Sequence, residues 1–176
     1  MKRPVLSVIG QGGELSPSVE KMAREVGHLA MQAGFRLITG GRGGVMEAVS
    51  RGARESEDWQ EGRILGILPS YDRSQANPWV DVVLPTGLGL ARNMLVVSSA
   101  NVVLAIAGGS GTLSEIALAW QMGKPVLALS SSGGWASRLA GQTVDQRRND
   151  RVVEVHDPRQ AIAVAMTFAP SFREVR

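Results

Sequence analysis

Glycine and hydroxyl residues that could bind phosphate lie together in the stretch Ala107–Trp120, "AGGSGTLSEIALAW", directly after the apolar run "NVVLAI". Backbone N–H groups of a glycine-rich turn can approach an anion closely, and the N-terminus of a following helix adds a partial positive charge. The lysine of a Walker loop is missing after "GGSGT", as is the complete GxGxxG spacing, which argues against a kinase-type nucleoside triphosphatase and against NAD binding. The sequence therefore predicts a phosphate-binding turn formed by Gly108, Gly109, Ser110, Gly111 and Thr112.

Glu115 follows this turn at a position that allows two interpretations. If a helix begins near Thr112, that threonine can be the N-cap and Glu115, three residues later, completes a capping box that only stabilises the helix end. Alternatively, the carboxylate lies beside the anion pocket, where it could activate a water molecule or stabilise positive charge developing on a sugar. The two roles are compatible, and the sequence leaves both open.

Two more glycine clusters follow apolar runs that read as strands. In parallel α/β sheets, ligands bind at the carboxyl ends of the strands, near a switch in strand order. We therefore expect all three glycine clusters to converge on one binding site. The two further clusters are Gly10, Gly12 and Gly13, and then Gly40, Gly41, Gly43 and Gly44 with Arg42 between them.

Short, continuous apolar runs alternate with helical patterns along the chain. Such runs are typical of strands buried on both faces of a parallel sheet. The predicted fold class is α/β, a single Rossmann-like, doubly wound domain over 1–176 with a mostly parallel sheet and helices on both faces. Strands are predicted at 5–10, 35–41, 63–69, 79–85, 101–109, 124–130 and 151–157, and helices at 17–33, 42–55, 89–100, 112–122 and 158–169.

The ends of two helices can be placed from residue type. Ser16 is a suitable N-cap, and Pro17 suits the first helical position, where its missing N–H is not needed. Gly34 suits the left-handed conformation that commonly follows a helix. Asp157 is the expected N-cap of the last helix.

Composition limits the classes of function. The 176 residues include no cysteine and two histidines, so disulfides, thiolate nucleophiles and protein-built transition-metal sites are not expected. The N-terminus does not resemble a signal peptide, and no apolar run reaches the roughly 18 residues of a spanning helix, so we expect a cytoplasmic protein without membrane contact. The net charge is +3, but charges of both signs alternate along the chain, so nucleic-acid binding is not expected.

The segment "GGSGTLSE" resembles the PGGxGTxxE motif of the superfamily labelled "lysine decarboxylase-like", which includes the LONELY GUY cytokinin-activating phosphoribohydrolases. "TGGRGGVMEA" is similar to the first glycine turn of those proteins, and "LARNM" to the segment that carries their catalytic arginine. The resemblance extends from about Val5 to Val126. It implies that Arg92 and Glu115 occupy the positions of the family's catalytic pair.

A more detailed similarity points to a bacterial branch related to molybdenum cofactor carrier proteins. It is found in "GRGGVMEAVSRGA", "ANPWVDVVLPTG" and "GGSGTLSEIALAWQMGKPV". This resemblance implies a protein that binds a phosphorylated pterin and has no reaction of its own. Two departures from the phosphoribohydrolase pattern favour it, because Ala107 replaces a proline and Asn93 follows Arg92 where lysine is usual.

The label "lysine decarboxylase" has no support in the lysines of this chain. Lys2 is terminal, Lys21 lies on a predicted surface helix, and Lys124 directly precedes a proline. None of them is placed as a Schiff-base lysine in a pocket.

Two functions from different classes remain open. The first is a binding protein for a phosphorylated nucleotide-like ligand, for which molybdenum cofactor and a nucleoside monophosphate are both candidates, with no cofactor required. The second is an enzyme that cuts the N-glycosidic bond of nucleoside 5′-monophosphates. There, Arg92 would orient the phosphate or ribose, and Glu115 would stabilise an oxocarbenium-like transition state.

Two features concern contacts beyond the phosphate. Tyr71 and Trp79 are the aromatic candidates for stacking on a base or pterin. The predicted helix in "SEIALAWQMG" is apolar on several faces and so needs more than one partner surface. We therefore expect a homodimer or a higher even oligomer.

Overall fold

A computed structural model describes residues 3–169, in which seven strands form one sheet with helices on both faces. The strands are β1 (Val5–Gly10), β2 (Arg36–Thr39), β3 (Ile64–Leu68), β4 (Val82–Pro85), β5 (Val102–Ile106), β6 (Val126–Leu129) and β7 (Val153–Val155). The α-helices are α1 (Pro17–Gln32), α2 (Val45–Arg54), α3 (Asn93–Ser98), α4 (Ser110–Gln121), α5 (Gly134–Leu139) and α6 (Pro158–Phe168).

The order of strands across the sheet is β4-β3-β2-β1-β5-β6-β7, and each neighbouring pair is parallel. The chain builds outward from β1 to the β4 edge, then crosses to the other side of β1 and continues to β7. Strand order therefore switches between β1 and β5, which is where ligands bind in doubly wound folds. This topology confirms the predicted Rossmann-like fold class.

Each face of the sheet is covered by its own layer of helices. Leu6 and Val8 of β1 pack in the core under α1, α2 and α6, whereas Ile9 packs in the core under α3, α4 and α5. Successive residues of a strand point to opposite faces, so both faces of a central strand must be apolar. This two-sided burial explains why the strands read as continuous apolar runs.

The predicted helix ends are confirmed. The side chain of Ser16 accepts a hydrogen bond from the N–H of Val19 at 3.4 Å, and Pro17 is the first residue of α1. Asp157 accepts one from the N–H of Gln160 at 2.8 Å at the start of α6.

Three elements differ from the prediction. The segment 89–100 is a 3-10 turn over Gly89–Arg92, whose first residue has a φ of +55°, followed by α3. β4 begins at Val82 rather than at position 79. α5 was not predicted, since its six residues are too few to show a helical pattern.

The apolar faces of α4 are largely satisfied within the chain itself. Trp120 is buried, its indole N–H donates to Asp145 at 2.9 Å, and the guanidinium of Arg148 lies 4.4 Å from the ring centroid. A loop of the same chain therefore covers the Trp120 side of this helix. Met122 remains 37% exposed, and the even oligomer stays a prediction.

Candidate functional site

A cavity of about 550 Å³ opens at the carboxyl ends of β1, β2 and β5, at the edge where the strand order switches. These ends contribute Gly10, Gly40 and Gly108 to its wall. The first turn of α4 and the residues around the 3-10 turn before α3 complete it. A cavity of this size can enclose a ligand of nucleotide dimensions.

The turn between β5 and α4 contributes free backbone donors to the cavity. α4 begins at Ser110, and its N-cap, Gly109, makes no side-chain capping bond. Within residues 3–169, nothing accepts a hydrogen bond from the four N–H groups of 109–112, whereas the next N–H, of Leu113, donates to the Gly109 carbonyl at 3.0 Å. Unpaired N–H groups at the start of a helix form a ready anion site.

The capping-box interpretation of Glu115 is wrong. Because α4 starts two residues before Thr112, this threonine lies inside the first turn, and Gly109 is the N-cap. Thr112 is buried and packs directly against Gly108, whose φ is +98°. A Cβ at Gly108 would collide with the Thr112 side chain, so this position requires glycine for both conformation and space.

Hydrogen bonds to α5 and to the residues before it hold the backbone conformation of this turn. Ala107 has a φ of +52°, which is uncommon for a residue other than glycine. Its N–H donates to the Ser132 hydroxyl at 2.7 Å, and its carbonyl accepts from the N–H of Ala136 at 3.0 Å. The Gly108 carbonyl accepts from Trp135 at 3.0 Å. The carbonyls of the turn thus point to α5.

Arg92 reaches the cavity from the last position of the 3-10 turn. Its guanidinium packs on the backbone of Gly40, where a Cβ would overlap it and would also lie 2.6 Å from the Met46 sulfur. Only 12% of the Arg92 side chain is exposed. Burial lowers the pKa of Arg92, while Glu115 raises it and Arg42 lowers it further, but an arginine remains a cation in proteins.

Glu115 is the acidic group of the cavity. Its Oε1 atom lies 3.9 Å from Nη1 of Arg92, and among the described residues its carboxyl group accepts no hydrogen bond. Burial raises the pKa of Glu115 to about 7, although the Arg92 charge opposes this shift. The carboxyl group therefore holds its proton to a higher pH than an ordinary glutamate does.

Most of the predicted site residues border this one cavity. Gly13, Gly41, Arg42, Gly43 and Gly44 do not. Gly41 packs on Leu68 and Gly44 on the backbone of Gln11 and Gly12, while Arg42 is exposed. The predicted residues that line the cavity are Gly12, Gly40, Arg92, Gly108, Gly109, Ser110, Gly111, Thr112 and Glu115.

Sequence reasoning missed the apolar part of the wall. Met46, on the first turn of α2, and Leu90, in the 3-10 turn, both line the cavity, and so does Asn93. Their positions beside predicted site residues were the available signal. Neither Tyr71 nor Trp79 borders the cavity. Tyr71 is 79% exposed, and Trp79 lies under Arg51, with 5.6 Å between the guanidinium carbon of Arg51 and the ring centroid of Trp79.

Over 3–169, no group of three or more His, Asp or Glu side chains is placed to hold a metal ion. No helix in that range is long and apolar enough to cross a membrane.

Comparison with known proteins places the chain in a family. The model of the SLOG cluster4 family matches residues 3–162. The chain belongs to the SLOG cluster4 family. An uncharacterized protein of Archaeoglobus fulgidus is 39% identical over 129 residues, which are 73% of this chain and 82% of that protein.

Two similar solved structures are more informative about ligands. The molybdenum cofactor binding protein of the phototrophic bacterium Rippkaea orientalis is 36% identical, with a TM-score of 0.82 over 95% of this chain and 98% of that one. The molybdenum cofactor carrier protein of Chlamydomonas reinhardtii is 31% identical, with a TM-score of 0.78 over 94% and 98%. These matches confirm the predicted resemblance to the LONELY GUY-like superfamily and its molybdenum cofactor carrier branch.

Replacing Ala107 by the proline of the PGGxGTxxE motif should destabilise this chain. Proline fixes φ near −65° and has no N–H, so it fits neither the φ of +52° nor the bond to Ser132. The free energy of unfolding of Ala107→Pro, measured by urea denaturation, should fall by roughly 3 kcal/mol or more. Ala107→Gly is the matched control, since glycine tolerates a positive φ. A proline variant as stable as the control would contradict the left-handed turn.

The stability of the protein should depend on pH through Glu115. Its pKa is about 7 in the folded chain against an ordinary value of 4.5, so the folded state keeps a proton that the unfolded state loses. The free energy of unfolding therefore falls as pH rises from about 4.5 to 7. Glu115→Gln removes this loss, and relative to the original chain it should gain up to roughly 3 kcal/mol between those limits.

The control for this pH series is Glu57→Gln, which alters an exposed glutamate outside the cavity. Urea denaturation at several pH values would give the free energy of unfolding of all three proteins. If the curves of Glu115→Gln and the original chain ran parallel, the raised pKa of Glu115 would be refuted.

Proposed function

We propose that this chain binds a phosphorylated pterin, with molybdenum cofactor as the first candidate, and releases it unchanged. The observation that carries the proposal is the row of four unpaired N–H groups, at 109–112, in the wall of a cavity of about 550 Å³. Two similar structures, at 36% and 31% identity, belong to proteins described as binding or carrying molybdenum cofactor. The family resemblance and the chemistry of the turn thus support the same class of ligand.

The phosphate of the ligand would bind at the N-terminus of α4. The free N–H groups would donate to its oxygens, and the exposed Ser110 at the first helical position can add a hydroxyl donor. Arg92, in the same cavity, would contribute a charge-assisted hydrogen bond. Burial makes this cation more effective, because the surroundings screen its charge less than water does.

The ring of the ligand would pack on the apolar part of the wall. Met46 and Leu90 supply this surface. Methionine is polarizable and adapts to flat ring systems. The cavity therefore combines an anion site with an apolar surface, as small-molecule sites usually do.

Hydrolysis of nucleoside 5′-monophosphates is the second candidate, and the proximity of Arg92 and Glu115 favours it. A carboxyl group with a pKa near 7 is suited to proton transfer at neutral pH. However, the two similar structures, at 36% and 31% identity, are of proteins described as binding or carrying molybdenum cofactor. We rank the carrier function first for this reason.

The carrier function predicts that the protein leaves AMP intact. Incubation with AMP, followed by chromatography, should yield no adenine above that of a Glu115→Gln control, because a carrier releases its ligand unchanged. Release of adenine that falls by about 100-fold or more in Glu115→Gln would instead establish the hydrolase.

Binding of the phosphorylated ligand should depend on Arg92. Native mass spectrometry of protein purified from cells that make molybdenum cofactor should detect it bound, and Arg92→Ala should weaken binding of the purified cofactor by roughly 10- to 100-fold. The matched control is Arg36→Ala, because Arg36 is exposed, lies at the opposite end of β2 from the site and does not line the cavity. An equal loss in both variants would show only a general effect of positive charge and would reject the assigned role of Arg92.

A further inference from the structure

Asn93 borders the cavity but has no role in the proposed binding of phosphate and ring. It is the first residue of α3, directly after Arg92, and it is only 8% exposed. It borders the same cavity as the phosphate-binding turn. A buried side-chain amide has to satisfy both its NH₂ group and its oxygen, so its hydrogen bonds identify the available atom.

The NH₂ group of Asn93 is held by α4. Its Nδ2 atom donates to the hydroxyl of Ser114 at 3.0 Å, and that hydroxyl donates to the Gly111 carbonyl at 2.7 Å. A serine hydroxyl has one hydrogen, which is already given to Gly111, so it can only accept from Asn93. This chain of bonds fixes which end of the amide faces Ser114.

The Oδ1 atom of Asn93 is therefore left as an acceptor. No residue of 3–169 donates a hydrogen bond to it, although the residue is only 8% exposed. Among the described residues, Ser7 Oγ is the one side-chain polar atom that is both fully buried and unpaired, so Oδ1 of Asn93 is still accessible, and the cavity is where a water or ligand donor can reach it. The position of Asn93 in the cavity wall makes a ligand donor the natural partner.

We propose that Asn93 is a specificity-determining residue, whose Oδ1 accepts a hydrogen bond from an N–H or O–H group on the ring portion of the ligand. This inference rests on the proposed function, in which the α4 turn holds the phosphate. Ser114 is the positioning residue that keeps the amide in the required orientation. The site thus selects phosphate esters that carry a ring donor over esters that do not.

Asparagine and lysine at this position would select opposite hydrogen-bonding groups on the ligand. The lysine usual in the phosphoribohydrolase pattern would offer only donors and a positive charge. Asparagine held by Ser114 offers an acceptor and no charge. A site that places a buried polar group against a ligand rejects analogues that leave the group unpaired.

The test uses two phosphate esters that differ in ring donors. Hydroxymethylpterin phosphate has ring N–H groups, whereas benzyl phosphate has none. Isothermal titration would give the ratio of their affinities for the purified protein and its variants. Asn93→Leu, which removes the acceptor, should lower the pterin-to-benzyl ratio roughly 10-fold.

Three further variants separate the acceptor from simple structural damage. Asn93→Asp keeps an acceptor oxygen but loses the donor to Ser114, so the ratio should fall no further than in Ser114→Ala, although its charge should weaken binding of both esters. Ser114→Ala should lower the ratio by a smaller factor, roughly 3-fold, because the amide loses its anchor. Met94→Leu alters the next, half-exposed residue outside the cavity and should not change the ratio.

The role of Asn93 and the phosphate site can be rejected separately. A ratio unchanged in Asn93→Leu, with both esters still bound, would overturn the role of Asn93 alone. If the original chain bound neither ester, the phosphate site itself would be rejected, and the inference with it.

Discussion

The geometry of the site depends on the left-handed backbone of Ala107 and Gly108. Two consecutive residues with positive φ turn the chain sharply out of β5, so that the carbonyls point toward α5 and the next N–H groups remain free. Such a conformation costs about 1–3 kcal/mol for a residue with a side chain and persists only where the surroundings impose it. Here Ser132 and the first N–H groups of α5 impose it.

The second constraint is the close approach of Arg92 to Gly40. β2 pairs with β1, the strand next to the switch in strand order. Gly40, just after β2, leaves room for the guanidinium of Arg92. The glycines after β2 and β5 thus act differently, although they look alike in the sequence. Gly108 permits a backbone conformation, whereas Gly40 provides space for a side chain from another element.

The sequence predicted the parts of the site that follow from local patterns. Continuous apolar runs predicted a parallel sheet. The carboxyl ends of parallel strands lie on one edge of the sheet, so the glycine clusters that follow these strands, and Glu115, could be assigned to one site. The start of α4 was misplaced because Thr112 suited an N-cap, whereas contacts from α5 fix the cap at Gly109. The covering of Trp120 by Asp145 and Arg148 depends on residues distant in sequence, which no local pattern can show.

The charge balance of the cavity follows from burial more than from composition. Arg92 and Glu115 are adjacent, and on formal charges they would cancel and leave little attraction for an anion. Burial affects them unequally, because arginine stays charged while a carboxyl group with a pKa of about 7 is only partly ionised at neutral pH. A bound phosphate would raise the pKa of Glu115 further, since two negative charges repel at short range. Arg92 would then pair with the phosphate rather than with Glu115, and a protonated Glu115 would add no negative charge against the ligand.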